Sequence, residues 1–267
     1  LGRKRNPAGT DAAMIELEDI ARSFQVGDEQ VHALRDIDLR FPPGAYASIM
    51  GPSGSGKSTL LNILGLLDRP DRGVYRIDGA DTTKLDDGEQ ARIRRDRIGF
   101  VFQAFHLIPR LSAAQNVELP LILAGLPPAE RRPRVQAALA ATGLEDRAGH
   151  RPDQLSGGQR QRAAIARATI MQPEVILADE PTGNLDHHSG RSVIEALEAL
   201  NRQGLTLLID THYKEIGERA PMSIRLVEGL VAADSPPAGP EQPMLPDPEI
   251  SGRDGGASRL QRGSSSD

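Results

Sequence analysis

The sequence contains no cysteine. That absence excludes disulfide bridges and thiolate metal sites, and it fits a reducing cytoplasm. No apolar run approaches the ~20 residues that a bilayer-spanning helix needs. The first ten residues are basic but have no apolar centre, so no signal peptide is expected there. Any role at a membrane would therefore pass through a partner. A basic excess is missing as well: 32 Lys and Arg stand against 37 Asp and Glu, a formal charge of −5. That balance argues against nucleic acid as a partner. Internal repeats are absent, and no heptad pattern is long enough for an extended coiled coil. What is there is a chain of 267 residues. It is long enough for one large domain or two small ones, burying roughly 70–75% of its unfolded surface.

One stretch organises the rest. Gly51-Pro52-Ser53-Gly54-Ser55-Gly56-Lys57-Ser58 fits the phosphate-loop pattern G-x-x-x-x-G-K-[ST], and Thr59 continues it. Tyr46–Met50 before it reads as a short buried strand, and Ser58–Leu64 after it as a helix. The glycines let backbone N–H groups turn inward onto a phosphate chain, and the helix N-terminus adds partial positive charge. Lys57 is expected to reach the β- and γ-phosphates, and the Ser58 hydroxyl to ligate Mg²⁺.

Residues 1–13 are polar and irregular. They read either as an upstream extension with Met14 as the true start, or as a native disordered arm. Met14–Ile20 alternates apolar and polar residues, and so do Ile37, Leu39 and Phe41. These make an antiparallel β-layer ahead of the phosphate-loop strand. Phe24, between those two strands, either stacks on an adenine or packs within a hairpin. Val74–Ile77 is expected as a strand, Asp86 and Asp87 as the N-cap region of a helix ending near Arg97, and Ile98–Phe102 as a strand. Gln103 stands at that strand's C-terminal end, where ligands of open α/β sheets bind, placed to touch a metal ion or a water. From about residue 104 to 165, prolines at 109, 120, 127, 128 and 133 break the chain into short helical pieces, a small helical insert.

Leu155-Ser156-Gly157-Gly158-Gln159 opens the helix over 160–171, and its serine and glycines make a second anion-binding nest. Val175-Ile176-Leu177 is a buried strand with Asp179 and Glu180 at its end. An acid in that place suits Mg²⁺ beside a phosphate loop, and Glu180 suits a water. Asp186 to Asn201 reads as an amphipathic helix and Leu205–Ile209 as another buried strand, with His212 at the same sheet edge as Gln103 and Asp179. His187 and His188 have no such placement and read as surface. Met222–Val227 is the last expected strand. From about Asp234 the chain is rich in Pro, Gly and Ser, so residues 234–267 are expected to be a disordered tail.

In this order, Gly51–Ser58, Gln103, Leu155–Gln159, Val175–Glu180, Asp186 and His212 resemble the nucleotide-binding subunit of ABC transporters, over roughly residues 14–233. Gly99–Gln103, Leu107–Leu111, Asn116–Pro120 and Pro181–Asp186 are similar to the lipoprotein-release (LolD-type) and macrolide-export (MacB-type) ATPases. With no membrane domain in the sequence, the stand-alone LolD-type subunits are the nearer match. Asp210-Thr211-His212-Tyr213 departs from the family, which usually has an apolar residue at 210 and a small acidic one at 213.

The expected fold is α/β: a P-loop NTPase core, mostly parallel sheet flanked by helices, with an N-terminal antiparallel β-layer and a small α-helical insert. The resemblance implies a head-to-tail homodimer with two ATP molecules at its interface. Lys57 and the loop amides would hold phosphates. Ser58, Gln103 and Asp179 would serve Mg²⁺, and Glu180 would orient or deprotonate the attacking water. His212 would brace the γ-phosphate, and Ser156, Gly157, Gly158 and Gln159 would complete the site in trans. Phe24 becomes the adenine-stacking residue and Asp186 an interface residue. The segment after Gln103 would meet an integral membrane permease on a separate chain, holding the subunit at the inner face of the membrane. The resemblance implies export or extraction of a substrate at the envelope. The other reading is an FtsE-like ATPase regulating cell division or envelope remodelling.

Overall fold

The computed structural model describes residues 13–232. The expected disordered tail, and all but the last residue of the expected N-terminal extension, lie outside the described residues.

β1 (Ile15–Val26) and β2 (Glu29–Phe41) form a long antiparallel ribbon. Ile15, Leu17 and Ile20 point into the core from β1, and Leu34, Ile37, Leu39 and Phe41 from β2. The register shifts between Leu17 and Ile20. Asp19 takes up the extra residue with a φ of 52°, and its N–H donates to Asp38 Oδ1 at 2.8 Å. That is a β-bulge, and it sharpens the twist of the ribbon. The ribbon was expected ahead of the phosphate loop, and it is there. The sequence reading did not place the later strands in the same layer: β4 (Arg72–Ile77) pairs with the other edge of β1, and β5 (Ala80–Asp81) pairs with β4.

β3 (Tyr46–Met50) begins the second sheet, and α1 (Lys57–Leu64) follows the phosphate loop. α2 (Asp87–Arg97) starts at a reciprocal cap between Asp86 and Glu89, and β6 is Ile98–Phe102. α3 (Ala113–Leu123) and α4 (Pro128–Ala141) are longer than the prolines suggested. Pro128 begins α4, where a missing N–H costs nothing, but Pro120 and Pro133 lie inside helices. Packing of Val117, Leu121, Val135 and Leu139 on α5 (Gly157–Thr169) outweighs the lost backbone bonds. The expected limit of the insert, residue 165, falls within α5.

β7 (Val175–Asp179), α6 (His187–Arg202), β8 (Thr206–Asp210), α7 (Lys214–Gly217), β9 (Met222–Val227) and β10 (Leu230–Val231) complete the order. The second sheet runs β10-β9-β3-β8-β7-β6. All its pairs are parallel except β9 with β10. Its central strands are apolar on both faces, as a parallel sheet covered on both sides requires. Ile49, Leu177 and Leu208 pack with α1, while Ile176, Ala178, Leu207 and Ile209 pack with α6. Among the described residues no helix is long and apolar enough to cross a membrane.

Candidate functional site

The C-terminal ends of β3, β6, β7 and β8 lie side by side, and the loops leaving them carry Gly51, Gln103, Glu180 and His212. The phosphate loop is pinned against the rest of the fold. A Cβ on Gly51 would stand 2.2 Å from the carbonyl oxygen of Leu226, and one on Gly56 2.2 Å from that of Ala33. Both glycines have positive φ, 153° and 101°. No other residue fits these two places.

Lys57 is 8% exposed. Its ammonium donates to Gly51 O at 3.1 Å and Pro52 O at 3.2 Å. Among the described residues it has no ion-pair partner. The buried Ser55 hydroxyl has no partner either. A half-satisfied buried ammonium and a free hydroxyl in a glycine-rich loop at a helix N-terminus fit an oligophosphate. Ser58 is exposed at the first turn of α1, with Thr59 half-buried behind it.

Asp179 is the last residue of β7 rather than the first after it. Burial raises its carboxyl pKa and the nearby Glu180 adds to this, while Lys57 and His106 oppose them. Gln103 lies across the sequence 181–184. Its side-chain amide fills the space that a Cβ on Gly183 would need, and its backbone carbonyl accepts from Asn184 Nδ2 at 3.0 Å. Among the described residues no three His, Asp or Glu side chains cluster as a metal cage. Ser58, Gln103 and Asp179 offer a few hard oxygens beside a phosphate cradle, which suits Mg²⁺ sharing its ligands with phosphate and water.

Glu180 has a φ of 42°, and its N–H donates to Asp210 O at 3.0 Å. His212 Nδ1 is 2.9 Å from Glu180 Oε1. The sequence placed both at one edge but did not foresee this pairing. Ser156 is the N-cap of α5: its Oγ accepts from Gln159 N at 3.2 Å, and its N–H donates to Gln159 Oε1 at 2.8 Å. Gly157 and Gly158 leave room for Leu185 and Ser189, whose side chains would lie 3.0 Å from added Cβ atoms. Asp186 is an exposed N-cap for α6, accepting from Ser189 N at 2.9 Å. That bond holds its carboxyl below the usual range. His187 and His188 are exposed.

Phe24 sits within β1, opposite Val31, and is 39% exposed. The Arg22 guanidinium lies over its ring, 4.7 Å from the centroid. Arg22 is fixed by Asp68 at 2.9 Å and by Asp71 at 2.6 Å. Phe24 is thus neither a core residue nor loose.

Two placements escaped the sequence reading, which notes Asp210 only as a departure from the family. Asp210 ends β8 as Asp179 ends β7, and the two are register partners. The signal that selected Asp179, an acid closing a buried apolar run, applied to Asp210 equally. Burial pushes its carboxyl up to about 7; Lys57 and His212 oppose this, and Asp179 and Glu180 reinforce it. The other is Arg167 on α5, which donates to the carbonyls of both Phe105 and His106. Nothing in its local sequence signals that clamp.

The protein-family model that matches, described as "ABC transporter", covers residues 34–183. The chain belongs to the ABC transporter family. It is 53% identical over 220 residues, 82% of this chain, to the macrolide export ATP-binding/permease protein MacB of Rhodopseudomonas palustris (strain HaA2), of which it covers 34%. The MacB of Marinobacter nauticus is 49% identical over 242 residues, 90% of this chain and 37% of that protein. The chain thus spans about a third of the length of these relatives. A solved structure of the ATP-binding cassette MJ0796, dimeric and bound to ADP and Pi after hydrolysis, is 46% identical with a TM-score of 0.76. It covers 82% of this chain and 96% of its own. The fold is the ABC ATPase cassette.

Proposed function

We propose that this chain powers a membrane complex that exports or extracts a substrate at the cell envelope. The relatives named for macrolide export favour transport over an FtsE-like role in cell division. The observation that carries the mechanism is the Glu180–His212 pair at 2.9 Å beside the phosphate loop.

In this reading Lys57 and the free backbone N–H groups of the loop hold the β- and γ-phosphates, and Phe24, stiffened by Arg22, stacks on the adenine. Ser58, Gln103 and Asp179 would hold Mg²⁺, which supplies charge neutralisation at the transferring phosphoryl group. Glu180 takes the proton of the attacking water. His212 fixes the Glu180 carboxylate through Nδ1 and leaves Nε2 for the γ-phosphate. Ser156, Gly157, Gly158 and Gln159 of a second copy close the site in trans, and Asp186 borders that interface. Capping keeps the N-terminus of α5 rigid, so the second copy meets a formed surface.

The cassette spans residues 14–233, with its helical insert at about 104–165. The segment after Gln103 docks on a permease, which holds the cassette at the inner face of the membrane. The test is affinity capture from detergent-solubilised native membranes, with ATPase measured on the captured complex. Recovery of a permease, and turnover that responds to it, is expected. Recovery of a division-site membrane protein, with no transport partner, would overturn the transport reading.

A further inference from the structure

Asp210 has no role in the mechanism above, yet it lies inside the site. It is 1% exposed, and among the described residues its Oδ1 has no hydrogen-bond partner. Its direction follows from strand alternation. Leu208 faces α1 and Ile209 faces α6, so Asp210 turns back to the α1 side. In β7, Leu177 faces α1 and Ala178 faces α6, so Asp179 turns the same way. The two aspartates are parallel register partners, and neighbouring strands lie about 4.8 Å apart. They are adjacent carboxylates under the N-terminus of α1. Among the described residues Lys57 and His212 are the cationic side chains that act on Asp210, and Lys57 is already bonded to two carbonyls. A buried carboxylate with a free lone pair keeps its charge only where something donates to it.

We propose that Asp210 is a further positioning residue of the Mg²⁺ site, accepting a hydrogen bond from a water on the ion beside Asp179. The inference rests on the assignment of Ser58 and Asp179 to Mg²⁺. Partners one step removed from a metal typically change its affinity about 10–100-fold. Asp210 then makes ATP binding more dependent on Mg²⁺ than Asp179 alone would.

Calorimetry of ATP binding, with Mg²⁺ and with EDTA, tests this on the wild-type chain, Asp210→Asn and Asp210→Val. The asparagine keeps an acceptor oxygen without charge, and the valine keeps the approximate volume and removes both. The enhancement of ATP affinity by Mg²⁺ is expected to fall about tenfold or more in Asp210→Val and by less in Asp210→Asn. Affinity without Mg²⁺ is expected to hold or rise, because a negative charge near the phosphates is gone. Equal enhancement in all three proteins overturns the role of Asp210. So does an equal loss with and without Mg²⁺, which would mark an effect on Lys57 or on the fold. No enhancement in the wild type would instead overturn the underlying assignment of Ser58 and Asp179. If one variant does not fold, the other carries the comparison.

Discussion

His212 Nδ1 and Glu180 Oε1 are 2.9 Å apart, although 32 positions separate the residues in sequence. β7 and β8 are adjacent, so the loops that leave them bring the two side chains together. Glu180 is also held by its backbone, in the left-handed region at φ 42°. A non-glycine residue there is held by its surroundings, at a cost of about 1–3 kcal/mol. The carboxylate is therefore fixed from both ends, its N–H on Asp210 O and its Oε1 on His212.

Glu180→Gln keeps the shape of the side chain but cannot take a proton. Hydrolysis should fall about 10²–10⁴-fold, the usual worth of a general base, with ATP affinity retained. Because the γ-phosphate persists, gel filtration with ATP and Mg²⁺ should show a dimer, dispersed by adding Ser156→Arg. His212→Ala should lower kcat with little change in ATP affinity. Wild-type turnover in Glu180→Gln would remove Glu180 from the role of base.

Lys57→Ala should abolish ATP binding measured by calorimetry. The buried ammonium is the one positive side chain inside the loop, and its two carbonyl contacts are also what keep the loop closed. Normal affinity in that variant would mean that the nucleotide binds elsewhere.

Much of the site was legible because its residues close apolar runs. Asp179 closes, and His212 follows, a β-strand sequence that is buried on both faces, and that pattern survives without knowledge of the fold. The pairing of β4 and β5 with β1 was not legible, since an antiparallel partner far along the chain leaves no local mark. α3 was masked by Pro120, whose local penalty is outweighed by contacts with α4 and α5. The Asp179–Asp210 juxtaposition depends on strand order, which periodicity does not encode.

Stability should fall on acidification partly through Glu198 on α6. Arg219 donates to it at 2.7 and 2.6 Å, and this holds its carboxyl below the usual range. A depressed carboxyl pKa favours the folded state above the unfolded value of about 4.3, and the gain disappears as pH falls below it. Glu198→Gln should therefore lower Tm at pH 7 by a few degrees, at about 1–2 kcal/mol for charged hydrogen bonds. The gap should close between about pH 5 and 3. A constant gap across that range would show packing, rather than charge, as the cause.

Arg167 ties α5 to the loop after Gln103. Its guanidinium donates to Phe105 O at 2.9 Å and to His106 O. Both acceptor residues have positive φ, 61° and 47°, so two successive side chains sit in a region that costs about 1–2 kcal/mol each. Arg160 adds a second restraint, its guanidinium 5.0 Å from the centre of the Phe105 ring. Arg167→Met keeps the aliphatic length and removes both donors. The two carbonyls then lose their partners, and the turn should relax toward ordinary backbone. Gln103, two residues before Phe105, would shift with it, while Lys57 and Ser58 on α1 would not. Hydrogen exchange at residues 103–107 should accelerate, turnover should fall, and ATP affinity should stay within about twofold, well under the ~1.4 kcal/mol of a tenfold change. Replacing His106 by glycine in the Arg167→Met background removes one of the strained positions and should recover part of the lost melting temperature. If exchange over 103–107 is unchanged in Arg167→Met, the clamp does not hold the turn, and the strain must be carried by the tilted ring contact of His106 with Phe102, whose centroids lie 4.6 Å apart.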